Sequence, residues 1–157
     1  MFALLYDDGY FMLSRNFKLQ RVGDHQWLAK NYVFSKIAFS IDELVIIDVS
    51  RGQRNLDIFC KSIRDVTEEC FVPITAGGGI RSIEEAQHIL RSGADKIIIN
   101  TLLYENPKEV TRIASKFGNQ SIVASIDLKR DENDYRVMIE NGQKRIEKNA
   151  SDWINRV

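Results

Sequence analysis

Val72-Pro73-Ile74-Thr75-Ala76-Gly77-Gly78-Gly79-Ile80-Arg81-Ser82-Ile83-Glu84-Glu85 is the stretch on which the fold turns. Val72 to Thr75 has the composition of a short strand, with Pro73 at its start, where a missing N–H is tolerated. Three glycines follow, a backbone free to turn sharply and to approach a ligand closely. Ser82 with Glu85 three residues on forms the pattern of a capping box and opens a helix that runs to Gly93, a suitable C-cap. Strand, glycine loop and capped helix make one βα unit.

Outward from this unit the same alternation repeats. Upstream, Leu44-Val45-Ile46-Ile47-Asp48-Val49 is a continuous apolar run, the pattern of a strand buried on both faces. Leu56 to Glu69 is helical in period, with Ile58, Phe59, Ile63 and Val66 on one face. Phe2 to Tyr6 predicts a first strand that turns through Asp7-Asp8-Gly9 into Tyr10 to Leu13. A polar stretch containing Gly23-Asp24 then leads to a predicted helix over Gln26 to Phe39. Downstream, Lys96 to Asn100 is the fourth strand of the series. The next helix opens at Asn106-Pro107, proline taking the first helical position, and ends at Gly118. Ser121 to Asp127 is the fifth strand. Tyr135 to Ile139 and Lys144 to Ile146 read as a hairpin through Glu140-Asn141-Gly142-Gln143, since Asn-Gly is a preferred two-residue turn. Ser151 to Ile154 begins a last helix.

Repeated strand–helix alternation implies parallel strands joined by right-handed crossovers. An open doubly wound sheet could be completed by five strands. An eight-stranded barrel, typically of about 250 residues, would be represented here by roughly its first five-eighths. The 157 residues fit one domain, and 22 basic against 22 acidic side chains argue against a nucleic-acid or anionic-membrane partner. No apolar run approaches the roughly 18 residues of a membrane span, and Met1 to Tyr6 lacks the basic flank and length of a secretory signal. Cys60 and Cys70 fall in a helix and the turn after it, so no disulfide framework is expected, and a reducing cytoplasm is the default location.

In either architecture the site lies at the C-terminal ends of the parallel strands. Those ends read Asp48, then Thr75 leading into Gly77-Gly78-Gly79, then Asn100-Thr101, then Asp127. The glycine loop before a capped helix suits a phosphate, with a merely geometric tight corner as the alternative. Asn100 and Thr101 add donors within reach of the same anion. Asp48 and Asp127 are carboxylates ending apolar strands, where a charge is costly unless satisfied or used. Each is therefore either a loop cap or a working group. His25 and His88 have no neighbours at metal-ligand spacing and read as surface residues; no metal or cofactor is expected. Neither a dinucleotide fingerprint nor a nucleophile elbow is present.

Several segments together resemble one family. Ile41-Asp42-Glu43-Leu44 with Ile47-Asp48, Pro73 to Ser82, Gly93-Ala94-Asp95-Lys96 through Asn100-Thr101, Glu105-Asn106-Pro107 and Ile126-Asp127-Leu128-Lys129-Arg130 are similar to the HisF family. This is the cyclase subunit of imidazole glycerol phosphate synthase in histidine biosynthesis. The resemblance implies an α/β fold of the (βα)8 TIM-barrel type, with about the first five βα units present over residues 1–157. It implies an enzyme that takes ammonia from a partner glutaminase, HisH-like, through the barrel axis. The ammonia joins a bisphosphorylated ribulosyl aminoimidazole carboxamide substrate, giving imidazole glycerol phosphate and an aminoimidazole carboxamide ribotide. By the same resemblance Gly78, Gly79, Asn100 and Thr101, with Asp48, would hold the phosphorylated substrate, and Asp127 would be a catalytic aspartate. Glu43 and Lys96 would belong to a charged gate where ammonia enters, and Asp95 to the face that docks the glutaminase.

The sequence also departs from that family. Aligned without gaps through Gly9, Leu5 occupies the place of the other catalytic aspartate, and Leu13 that of an expected lysine, with Arg15 nearby. Strands six to eight and the second phosphate site are not in this sequence, and further gate residues would lie before Met1 and after Val157. A subset of the family associated with surface-polysaccharide genes is similar in its Leu-Leu pair, and Leu4-Leu5-Tyr6 and Val22-Gly23-Asp24 fit it better. Those proteins pass ammonia from a glutaminase to a sugar amidotransferase. Five staves of a barrel leave two open edges and an apolar face, so self-association or a further C-terminal half is expected.

Overall fold

A computed structural model of the chain describes residues 1–32, 39–131 and 134–156. Its main sheet has seven strands in the order β3-β2-β1-β4-β5-β6-β7. These are β1 Phe2–Asp7, β2 Tyr10–Arg15, β3 Lys18–Gly23, β4 Leu44–Asp48, β5 Ile74–Gly77, β6 Lys96–Ile99 and β7 Ile122–Ala124. From β1 through β4, β5 and β6 to β7 every neighbour is parallel, whereas β2 and β3 are an antiparallel hairpin on the β1 edge.

The parallel strands show a period of two in what their side chains meet. Leu4, Tyr6, Leu44, Ile46, Ile74, Ala76, Ile97 and Ile99 join one buried cluster. The same cluster takes in the apolar faces of three helices, α2 Leu56–Glu69, α3 Ile83–Arg91 and α5 Pro107–Phe117, through Phe59, Cys60, Ile63, Val66, Ala86, Ile89 and Ile113. The helices thus cover one face, as in a barrel, while Leu5, Ile47, Val49 and Ile98 on alternate positions line a cavity. An open doubly wound sheet would carry helices on both faces.

Helix starts follow their local signals. Ser82 accepts the Glu85 N–H at 3.3 Å and Asn106 accepts the Glu109 N–H at 3.2 Å. Asn55 caps α2 through the Ile58 N–H at 3.1 Å. The Glu85 carboxylate takes the Arg81 N–H at 2.8 Å, so the reciprocal half of the box serves the residue before the cap. Cys60 and Cys70 are free and buried.

Several elements differ from the sequence reading. Ile58 is 43% exposed and leaves the α2 stripe to Phe59, Cys60, Ile63 and Val66. The helix expected over Gln26 to Phe39 is α1 His25–Asn31, with Tyr32 as its C-cap; residues 33–38 lie outside the described residues, and Phe39 sits exposed in a turn. The polar stretch before it forms strand β3, and Thr101–Glu105 is a short helix α4 ahead of α5. The fifth parallel strand stops at Ala124, and Asp127 opens a new one. That strand, β8 Asp127–Asp131, builds a three-stranded antiparallel sheet with β9 Asp134–Ile139 and β10 Lys144–Asn149. Val137, Ile139 and Ile146 pack there against Trp153 of α6 Ala150–Arg156.

Candidate functional site

At the C-terminal ends of β1, β4, β5 and β6 lies a cavity of about 230 Å³. Its walls include Leu5, Ile47 and Val49 on one side and Gly78, Gly79, Asn100, Thr101, Ser125 and Asp127 on the other. Phe17, Leu19, Arg51 and Asn141 line it as well.

The glycine loop is shaped by close packing. Gly78 and Gly79 have φ of +106° and +66°, and a Cβ on Gly78 would stand 2.0 Å from the Asp48 carbonyl oxygen. Only glycine lets the backbone pass so near the end of β4 in that conformation. Consecutive peptide units turned in this way are the kind of backbone whose N–H groups converge on an anion. Beside the loop, the Asn100 side chain makes no cap bond to α4. Thr101 accepts the Glu140 N–H at 3.0 Å and keeps its own proton to donate.

Asp127 lies in this cavity, where burial raises its pKa above the ordinary aspartate value. No hydrogen bond or neighbouring charge offsets that burial among the described residues. The carboxyl therefore holds its proton to a higher pH than a surface aspartate does. Asp48, expected at the ligand, is instead engaged behind the loop. It is buried, accepts the Ser50 N–H at 3.0 Å and pairs with the Arg54 Nε at 3.0 Å. Arg54 also donates to the Gly79 carbonyl at 2.7 Å and meets Glu85 at 3.4 Å, so one guanidinium ties the loops after β4 and β5 to α3. Arg54 and Arg51 escaped the sequence reading. Their proximity to a strand-terminal carboxylate was the available signal.

At the opposite end of the strands, Glu43 and Lys96 are brought together. The Thr75 hydroxyl donates to Glu43 Oε1 at 2.7 Å and Lys96 Nζ approaches the same oxygen at 3.1 Å. The hydroxyl first and the ammonium second hold the Glu43 carboxyl below the usual glutamate value. Asp95 is exposed on the adjoining rim, its carboxylate accepting the Ile74 N–H at 2.8 Å. His25 and His88 lie on α1 and α3, near Asp65 and Asp57. No cluster of three metal-binding side chains occurs among the described residues.

Known proteins share this sequence pattern. The profile of the histidine biosynthesis protein family matches residues 15–157. A protein of Parasynechococcus marenigrum (strain WH8102), named as a candidate imidazole glycerol phosphate synthase subunit hisF2, is 48% identical over 155 residues, covering 99% of this chain and 58% of its own length. The imidazole glycerol phosphate synthase subunit HisF of Pyrococcus furiosus is 38% identical over 156 residues, 99% of this chain and 61% of that protein. The HisF of Dictyoglomus turgidum is 38% identical over 134 residues, 85% of this chain and 52% of that protein. The chain spans between about half and three-fifths of the length of these curated relatives. Its helices on one face of a parallel sheet, its glycine loop and the match from residue 15 onward agree: the chain belongs to the histidine biosynthesis protein family, on the HisF side of it, and has that family's TIM-barrel type of fold.

Proposed function

We propose that this chain works as a HisF-type subunit that binds a phosphorylated small molecule and receives ammonia from a glutaminase partner. Gly78, Gly79, Asn100 and Thr101 would hold the phosphate, with Asp48 supporting the loop from behind. Ammonia would enter past Glu43 and Lys96 from a glutaminase docked on the Asp95 rim. The observation that carries this reading is the single cavity in which the glycine loop, Asn100 and Thr101 surround the same space as Asp127.

Cyclisation of an aminoimidazole precursor requires one group to take a proton and another to give one. Asp127, whose pKa burial raises above the ordinary aspartate value, would take one of these two roles. The first-strand position that would supply a second carboxylate holds Leu5, an apolar wall of the same cavity. Loss of one such partner costs about 10²- to 10⁴-fold in rate. Leu5 on that wall favours a second reading: an ammonia-conducting, non-cyclising partner of a glutaminase in the amidation of a surface-polysaccharide sugar. In either role residues 1–157 form part of a barrel, and the cavity-facing side of the sheet and the β7 edge would be covered by a second copy or by the remainder of a longer chain. No helix among the described residues is long and apolar enough to cross a membrane.

The test is a cyclase assay with the purified chain, an ammonium salt and the bisphosphate substrate, run beside Leu5→Asp and Asp127→Asn. The cyclase reading expects slow turnover that Leu5→Asp raises and Asp127→Asn abolishes. Absence of turnover in every form, with phosphate still bound, selects the ammonia-conducting role.

A further inference from the structure

We infer that the β9–β10 turn is a positioning element for the anion site: its backbone fixes the Thr101 hydroxyl as a hydrogen-bond donor, and Asn141 holds the turn in place. The inference rests on the phosphate reading above and adds to it a residue pair outside the glycine loop.

A threonine hydroxyl carries one proton and two acceptor lone pairs, and its proton rotates to suit its surroundings. The Glu140 N–H, 3.0 Å from Thr101 Oγ1, occupies one lone pair. The hydroxyl proton is thereby turned away from the hairpin, and Thr101 lines the cavity, so that proton is left for a ligand oxygen. Without Glu140 the same hydroxyl could point its proton elsewhere and offer an anion a lone pair, which repels it.

The turn that delivers this N–H is held from several sides. Glu140, Asn141 and Gly142 have φ of +53°, +54° and +75°, a run of left-handed residues that side-chain-bearing positions adopt only when held there. Within the turn the Gln143 N–H donates to the Glu140 carbonyl at 3.1 Å. Asn141 Nδ2 donates to the Ser50 carbonyl at 3.2 Å, binding the turn to the loop after β4. Arg51 reaches the Asn141 carbonyl at 3.5 Å and donates to the Phe17 carbonyl in the β2–β3 turn. Gly142 sits against the Phe17 ring so closely that a Cβ there would lie 2.3 Å from it. Two turns distant in the chain are thus joined beside the cavity, and the Asn141 side-chain bond is one whose removal leaves the local charge unaltered.

The experiment measures the affinity of the full chain for inorganic phosphate, with hydrogen exchange at the Glu140 amide read in parallel. Asn141→Gly keeps the left-handed backbone and the charge while deleting the bond to Ser50. It is expected to weaken phosphate about three- to tenfold, the range of one ordinary hydrogen bond, and to speed exchange at Glu140. Thr101→Val should weaken phosphate at least as much. The double variant should be no weaker than Thr101→Val, because the turn acts through that hydroxyl. Additive losses, or a loss in Asn141→Gly with Glu140 exchange unchanged, would overturn the positioning role and leave the phosphate reading standing. So would unchanged affinity in either single variant. Failure of the unmodified chain to bind phosphate at all would overturn both.

Discussion

At the N-terminal ends of β4, β5 and β6, Glu43 shares one carboxylate oxygen between the Thr75 hydroxyl and the Lys96 ammonium; past the C-terminal ends, Asp127 stands in a cavity where burial raises its pKa. Both carboxylates face the side of the sheet away from the helices, and their pKa values move in opposite directions. One end has its polar groups paired with each other. The other lines a cavity with the Asp127 carboxyl, an uncapped Asn100 amide and the Thr101 hydroxyl. Groups that satisfy one another add to stability, whereas unpartnered groups around a cavity are held against their own preference by the surrounding fold, the arrangement a ligand can exploit.

The largest expected effect tests whether the C-terminal end owes its shape to the backbone. Gly78→Ala brings a Cβ to 2.0 Å from the Asp48 carbonyl oxygen at a φ of +106°. Strain and displacement of β4 together should cost about 3 kcal/mol or more in denaturant unfolding. Gly52→Ala, with open space around its Cβ, should stay within about 0.5 kcal/mol. Equal costs at the two positions would mean that the glycine loop is not held by that contact.

A smaller effect separates the ends directly. Glu43→Ala removes the acceptor of the Thr75 hydroxyl, whose residue is 1% exposed, and should cost about 1 to 2 kcal/mol. Most of that comes from the orphaned hydroxyl, because Glu43 and Lys96 are 25% and 40% exposed and a pair so placed contributes little. Asp127→Asn at neutral pH should leave the unfolding midpoint unchanged or raise it. A loss at Asp127 matching that at Glu43 would erase the contrast between the two ends.

The parts of this arrangement that were legible beforehand are those with local signals. Ser82, Asn106 and Gly118 announced helix ends, and the apolar run at Leu44 to Val49 announced a buried strand, because caps and buried strands are written within a few neighbouring residues. Strands β3 and β8 were missed, since Lys18-Leu19-Gln20-Arg21-Val22 and Asp127-Leu128-Lys129-Arg130-Asp131 have no apolar face to mark them. They become strands by pairing with β2 and β9. The apolar pattern accordingly puts Asp127 at the end of one strand, whereas it begins another. Gly78, Gly79, Asn100 and Thr101 could be foreseen as strand-end residues. Arg51 and Asn141 could not be foreseen as site residues, because they meet across 90 positions of chain, which periodicity does not encode.

The smallest effect is one of pH, and its sign distinguishes the two carboxyls. Glu43 has a folded pKa below its unfolded value, so its contribution is fully present above the ordinary glutamate pKa and is lost as pH falls through the folded value. Asp127 has a folded pKa above its unfolded value, so the folded state binds the proton more readily. Between those two values stability falls as pH rises, and the penalty is complete above the folded value. Thermal midpoints measured from acid to neutral pH should therefore diverge in opposite senses. The deficit of Glu43→Gln relative to the unmodified chain should shrink toward acid. Any advantage of Asp127→Asn should be greatest at neutral pH and vanish below the ordinary aspartate pKa. Adding phosphate at neutral pH should place an anion near Asp127 and raise its pKa further, widening the window over which the carboxyl keeps its proton while leaving the Glu43 profile unmoved. Equal displacement of both profiles by phosphate would place the anion at neither end in particular, and the division between a paired rim and a receptive one would fail with it.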